Sequence, residues 1–115
     1  LWQRILTMQA DVYPQGQNAL AVFEHGMTPV LVRQFANLLV EQEKGETVLA
    51  CSGDDASGYN YTAGSLGRDM RAFGKELNAR LQGRGGGSTQ MVQGTFRASR
   101  EEIEKVFQEL ARIEA

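Results

Sequence analysis

The most constraining feature of this sequence is the alternation of two hydrophobic periods along it. Short apolar runs, at residues 19–23 and again at residues 47–51, are typical of buried strands. Between and after these runs, apolar residues recur every three or four positions, as expected for helices with one buried face. A chain that alternates strands with helices in this way folds as a layered α/β domain.

Capping residues mark where the helices begin and end. Thr28 and Pro29 are typical of an N-cap and a first helical position, because threonine accepts a backbone hydrogen bond and proline needs no donor there. The helical pattern continues to about Glu43, with Gly45 as its expected C-terminal stop. Near the end of the chain, Ser99 and the glutamate three positions later form a capping box, which predicts a closing amphipathic helix.

Strand patterns complete the predicted sheet. Tyr59 and Tyr61 alternate with polar residues, which predicts a hairpin partner for the strand before them. The segment TQMVQGTFRA predicts a further strand, with Met91 and Phe96 directed inward and Gly94 at a bulge or a close contact. The sequence therefore predicts one α/β domain with a mixed sheet of about four strands flanked by three helices. The strands are expected near residues 19–23, 47–51, 59–63 and 90–96.

Length and composition limit the domain organisation. The 115 residues suffice for one hydrophobic core, and therefore for one domain. Because the chain opens on Leu1, it looks like a piece of a longer protein; we expect residues 1–17 to be a linker or the end of a connecting segment, and residues 18–115 to form the domain. No apolar run approaches the roughly 20 residues that span a bilayer, so no membrane partner is expected. The single Cys51 excludes a disulfide framework and fits a cytoplasmic protein.

The charges are segregated along the chain. Residues 68–100 contain seven basic and two acidic residues, a net charge of +5, whereas the remainder carries five basic and twelve acidic residues, a net charge of −7. Met70, Phe73, Leu77 and Leu81 recur at helical spacing, which predicts a helix over residues 68–82. Arg68, Arg71 and Lys75 lie within about 60° of one another on the opposite side of its helical wheel. Such a basic stripe is typical of a surface that binds a phosphate-rich partner, with an ordinary solvated face as the alternative.

A glycine-rich stretch follows the basic helix. LQGRGGGSTQMVQG, residues 81–94, places four glycines in five positions. Residues without a Cβ let a ligand reach backbone N–H groups, and successive amides in a turn form an anion-binding concavity, so phosphate is the expected guest. The pattern is neither a P-loop nor a dinucleotide fingerprint, because no Gly-Lys-Ser/Thr follows and a helix precedes it. A purely structural turn remains the alternative.

The block GRGGGSTQMVQG, preceded by a basic amphipathic helix, resembles the DHH-associated domain of alanyl-tRNA synthetases and of free-standing editing proteins that deacylate mischarged alanine tRNA. The resemblance covers about residues 18–98. The family typically continues its glycine triplet with Arg-Pro-Asp-Met-Ala-Gln-Gly; here Met91, Gln93 and Gly94 agree, while residues 88–90 are Ser-Thr-Gln. A related branch, the C-terminal domain of DHH phosphoesterases, has a histidine where this chain has Ser88.

This resemblance implies an accessory domain that binds nucleic acid, namely tRNA and in particular tRNA(Ala), within a larger alanyl-tRNA synthetase-like protein that edits mischarged tRNA. Two alternatives stay open: the substrate-binding domain of a DHH-type phosphoesterase, and a dimerisation module that forms a homodimer. Charge and resemblance together give the expected contact residues. They are Arg68, Arg71, Lys75, Arg84, Gly85, Gly86, Gly87, Ser88 and Gln93.

Catalysis is expected to lie outside this chain. The resemblance implies a zinc site built from His-x-x-x-His and Cys-x-x-x-His in the editing proteins, a ligand set that zinc prefers. This chain has one histidine, His25, and one cysteine, Cys51, in or next to apolar strands. We therefore expect no catalytic residue, metal or cofactor here. The zinc, and the chemistry of an aminoacyl-tRNA hydrolase or alanine-tRNA ligase, are expected in a part of the protein N-terminal to this segment.

Overall fold

A computed structural model describes residues 2–113 of the chain. The elements in chain order are α1 (Trp2–Ala10), β1 (Gln17–Phe23), α2 (Pro29–Glu41), β2 (Gly45–Asp54), β3 (Gly58–Ser65), α3 (Met70–Arg80), β4 (Arg84–Gly87), β5 (Met91–Phe96) and α4 (Arg100–Ile113). The predicted α/β domain with a mixed sheet is confirmed. The sheet has five strands rather than about four, and four helices accompany it rather than three.

The strands lie in the order β1-β2-β3-β5-β4. β1 and β2 are parallel and are joined by α2, while every other neighbouring pair is antiparallel, including the predicted β2–β3 hairpin. This order makes β4 an edge strand, next to β5 and with its other side unpaired.

Helices cover both faces of the sheet, and each face has its own hydrophobic core. One core contains Phe35 and Leu39 of α2 together with Leu6 of α1, packed on Val48 of β2. The other contains side chains of α3 and α4 packed on Tyr61, Val92 and Phe96 among others. Because strand side chains alternate between faces, Val92 and Phe96 of β5 lie on the α3–α4 side, whereas Met91 packs on the α2 side.

The N-caps predicted at Thr28 and Ser99 are present. The Thr28 hydroxyl oxygen accepts a hydrogen bond from the Leu31 amide at 3.3 Å, with Pro29 as the first residue of α2. The Ser99 hydroxyl oxygen accepts one from the Glu102 amide at 3.1 Å at the start of α4. Each cap satisfies an amide that has no partner within the first turn of its helix.

Three details differ from the sequence predictions. The helix α2 ends at Glu41, and the left-handed position after it is Glu43, with φ at 55°, so Gly45 is not the stop but the first residue of β2. The glycine-rich segment, expected as a loop, forms β4. Residues 2–10, expected in a linker or connecting segment, form a helix that packs on α2, while the domain boundary at residue 17 stays a prediction. Residues 114 and 115 of the expected domain lie outside the described part.

Candidate nucleic-acid interface

A solvent-open groove runs between α3 and β4. We call it the α3 groove; its free volume is about 460 Å³. One wall is a stripe of α3 residues at helical spacing, and the other is β4, with Val92 of β5 also lining the groove. The lining residues are Arg71, Gly74, Lys75, Asn78, Gly83, Arg84, Gly85, Gly86, Gly87 and Val92.

The approach of α3 to the sheet depends on Gly74. A Cβ at this position would lie 2.8 Å from a methyl carbon of Val92, so any larger residue would push the helix away from β5. With α3 this close, Arg71 and Lys75 flank Gly74 on the side of the helix next to β4. The spacing of Arg71 and Lys75 along α3, together with the close packing at Gly74, therefore places both cations beside β4.

The glycines of this region have two different roles. A Cβ at Gly85, Gly87 or Gly94 would collide with a backbone carbonyl oxygen of the paired strand, so these three residues permit the close approach of β4 and β5. Gly86 differs from them. Nothing lies within 4 Å of its ideal Cβ position, and its φ is outside the left-handed region. Packing within the domain therefore gives no reason for a glycine at position 86.

The groove is positively charged. No acidic residue is among its lining residues. Arg71 pairs with Asp69 at 3.6 Å, but both side chains are more than half exposed, so the pair is weak. Within residues 2–113, Lys75 and Arg84 have no carboxylate within 4.0 Å. Three cationic side chains therefore face solvent around backbone that lacks side chains, which is an arrangement that attracts phosphate.

Arg68 does not line this groove, because α3 begins later than the sequence predicted. Asp69 is the N-cap and accepts a hydrogen bond from the Arg71 amide at 3.1 Å, so Arg68 precedes the helix instead of extending its stripe. Its guanidinium donates to the carbonyl oxygens of Ala111 at 2.9 Å and Leu110 at 3.4 Å. Arg68 therefore satisfies carbonyl groups in the last turn of α4.

Ser88 and Gln93 also lie outside the groove lining. The Ser88 amide donates to the Met91 carbonyl oxygen at 2.8 Å, and its hydroxyl oxygen accepts from the Gln90 and Met91 amides at 3.3 Å, which closes the turn between β4 and β5. Gln93 is exposed, and strand alternation places it on the opposite face of β5 from Val92. Of the expected contact residues, the structure brings together Arg71, Lys75, Arg84, Gly85, Gly86 and Gly87.

The sequence interpretation missed Asn78. The Tyr61 hydroxyl donates to its Oδ1 at 2.8 Å, and the Tyr61 ring stacks on Phe96 with 3.9 Å between centroids. Burial raises the pKa of Tyr61 to about 12, so the hydroxyl remains a donor. With Oδ1 engaged, the amide nitrogen of Asn78 is the hydrogen-bond donor left for a ligand in the groove. Its spacing from Arg71 and Lys75, seven and three residues, was the available signal.

His25 and Cys51 lie apart from this groove. His25 is exposed just after β1, and Cys51 is buried in β2, where burial raises the pKa of its thiol well above the ordinary value. Among residues 2–113, no three histidine, cysteine or acidic side chains are grouped so that they could hold a metal ion. In the same part of the chain, no helix combines the length and the apolar character needed to cross a bilayer.

Comparisons with known proteins give a fold but no sequence family. No protein-family model matches the chain, and no curated protein matches it significantly. Its structure is similar to the C-Ala domain of alanyl-tRNA synthetase from Aquifex aeolicus, with a TM-score of 0.71 and 20% identity over 87% of this chain and 93% of that one. It is also similar to an exopolyphosphatase-related protein from Bacteroides fragilis, with a TM-score of 0.68 and 15% identity over 97% of this chain but only 34% of that one. The chain therefore has the fold of a C-Ala domain, and spans about a third of the exopolyphosphatase-related protein.

Proposed function

We propose that this chain is a nucleic-acid-binding accessory domain that holds tRNA, in particular tRNA(Ala), for a larger cytoplasmic alanyl-tRNA synthetase-like protein. The observation that carries the proposal is the α3 groove. Its lining includes three cationic side chains and the glycines of β4, and packing does not explain the glycine at position 86. The fold shared with a C-Ala domain supports the same function.

In this function the groove binds the sugar-phosphate backbone. Arg71, Lys75 and Arg84 supply charge, and the missing side chain at Gly86 lets a phosphate oxygen approach the backbone of β4. Contacts of this kind position a nucleic acid without reading its bases. Selectivity for tRNA(Ala) therefore comes from recognition of the shape of the tRNA or from contacts with other parts of the protein.

The role of the domain is to hold the substrate while another domain carries out deacylation of mischarged tRNA. A tethered binding module raises the effective concentration of tRNA at a remote site. Deleting it should raise KM and leave kcat nearly unchanged, because binding that is equal in the ground state and the transition state is lost. If the larger protein is an editing enzyme, its zinc belongs to that other domain.

The test is a filter-binding titration of the chain with tRNA over a series of salt concentrations. Phosphate contacts make affinity fall steeply with salt, and Arg84→Ala should reduce the slope of log K against log salt by about 1, as for one lost contact. Arg33→Ala, at an exposed position of α2 outside the groove, is the matched control and should leave the slope unchanged. A salt-independent affinity, or equal slopes for Arg71→Ala, Lys75→Ala, Arg84→Ala and the parent chain, would contradict the proposal.

A second candidate function is the substrate-binding domain of a DHH-type phosphoesterase, which the fold shared with an exopolyphosphatase-related protein favours. Ser88 weighs against it, because the resemblance implies a histidine at this position in that branch and here the side chain closes a turn. The two functions differ in ligand. A phosphoesterase domain should bind polyphosphate or a short oligonucleotide as tightly as tRNA, whereas a tRNA-binding domain should prefer tRNA.

A further inference from the structure

A second basic depression adjoins the α3 groove across β4. We call it the Arg97 depression; it is lined by Gln82, Gly83, Arg84, Thr95 and Arg97, and its free volume is about 540 Å³. Gly83 and Arg84 line both sites. Thr95 lies on the opposite face of β5 from Val92, so the two sites flank the edge of the sheet from its two faces.

The charges of the two sites are continuous. No acidic residue is among the lining residues of the Arg97 depression, and within residues 2–113 the Arg97 side chain has no carboxylate within 4.0 Å. The Arg97 amide donates to the Leu81 carbonyl oxygen at 3.2 Å, which ties the backbone at this position to the end of α3. Arg84 lies between the sites, so cations follow one another from Arg71 and Lys75 around the sheet edge to Arg97.

The two sites meet at the start of β4. All four residues of β4 are exposed, and Arg84, the first of them, lines both the α3 groove and the Arg97 depression together with Gly83 before it. An unpaired edge strand also presents backbone N–H groups to solvent. A flexible single strand can bend around such an edge, whereas a rigid duplex cannot place adjacent phosphates of one strand on both faces of a sheet.

We propose that a single nucleic-acid strand crosses the sheet edge at β4, with one phosphate in the α3 groove and a neighbouring phosphate in the Arg97 depression. This inference rests on the proposed function and specifies its ligand. The minimal ligand is a strand with two successive phosphates, such as a loop or an end of an RNA, rather than a mononucleotide. Arg97 is then a contact residue for the second phosphate.

The experiment compares a nucleoside 5′-monophosphate with an RNA dinucleotide that carries two phosphates, using calorimetric titration of the 115-residue chain. The dinucleotide should bind about tenfold more tightly, which is the factor that one added charge-assisted contact supplies. Arg97→Ala should abolish this gain and leave the affinity for the monophosphate unchanged. Arg33→Ala should change neither affinity, and thermal unfolding of both variants should match that of the parent chain.

The outcomes separate this inference from the proposed function. Three results would overturn the two-phosphate proposal. They are equal affinities for the two ligands, a gain in affinity that survives Arg97→Ala, and equally tight binding of an acidic peptide. If tRNA still binds in a manner that depends on Lys75 and Arg84, the groove proposal survives that result. If neither nucleotide nor tRNA binds, both proposals fail.

Discussion

Replacement of Gly86 by alanine separates a phosphate-binding role of β4 from a purely structural one. The ideal Cβ of residue 86 meets nothing within 4 Å, and its backbone φ is one that alanine adopts. The added methyl group should therefore not disturb the domain. Loss of glycine flexibility in the unfolded chain should even raise the free energy of unfolding by about 0.4–1 kcal/mol.

The effect on binding should have the opposite sign. A methyl group at position 86 occupies the space through which a phosphate oxygen would reach the backbone, and a lost hydrogen bond to a charged group costs about 1.5–3 kcal/mol. The affinity for tRNA should therefore fall by about 10- to 100-fold. Valine at this position should produce a larger loss because its side chain covers more of the backbone of β4.

Gly87→Ala is the matched comparison within the same strand. Its Cβ would collide with the Met91 carbonyl oxygen, so this variant should lose stability, by about 1–3 kcal/mol as is typical of overpacking. Filter binding of tRNA and urea unfolding of both variants give the two measurements. A Gly86→Ala protein that is as stable as the parent and binds tRNA with unchanged affinity would refute the phosphate-binding role and leave the glycines a packing device.

Three further variants test other contacts in the structure. Asn78→Asp keeps an acceptor for the Tyr61 hydroxyl but replaces the free donor by a negative oxygen, so tRNA affinity should fall at least about tenfold with unfolding unchanged; equal affinity would exclude a groove contact. Arg68→Ala should lower the free energy of unfolding by about 1–2 kcal/mol and leave tRNA affinity intact, since its guanidinium binds the end of α4; the reverse result would restore it to the interface. Asp55 accepts hydrogen bonds from the Tyr59 hydroxyl at 2.7 Å and the Arg100 amide at 2.9 Å, and mainly the Tyr59 bond holds the pKa of Asp55 below its ordinary value. The contribution of Asp55 to stability should be full above the ordinary aspartate pKa, near 4, and should disappear as the pH falls through the lower folded-state pKa. The difference in the free energy of urea unfolding between the unsubstituted chain and Asp55→Asn should therefore shrink between pH 7 and pH 2. A constant difference would refute this.

The sequence alone determined the elements whose signals are local. Thr28 and Pro29 defined the start of α2 because a cap needs only its own side chain and the first helical turn. Alternating tyrosines predicted β3, and apolar runs predicted β1 and β2. The reason is that a strand buried on one face has apolar residues at every second position, and a strand buried on both faces has a continuous apolar run. These features led to the α/β domain that the structure confirms.

Only the tertiary structure decided which glycines of the glycine-rich stretch are required by packing and which are not. The same residue type occupies positions 85, 86 and 87, and all three pair with β5; they differ in whether a Cβ would collide with the backbone of that strand, which follows later in the chain. Arg68 was assigned to the α3 stripe because spacing alone does not show that Asp69 caps the helix and that the end of α4 lies within reach. Asn78 and Arg97 meet the glycine-rich strand for the same reason: the sequence records what each residue is, whereas a shared site depends on contacts between segments that only folding brings together.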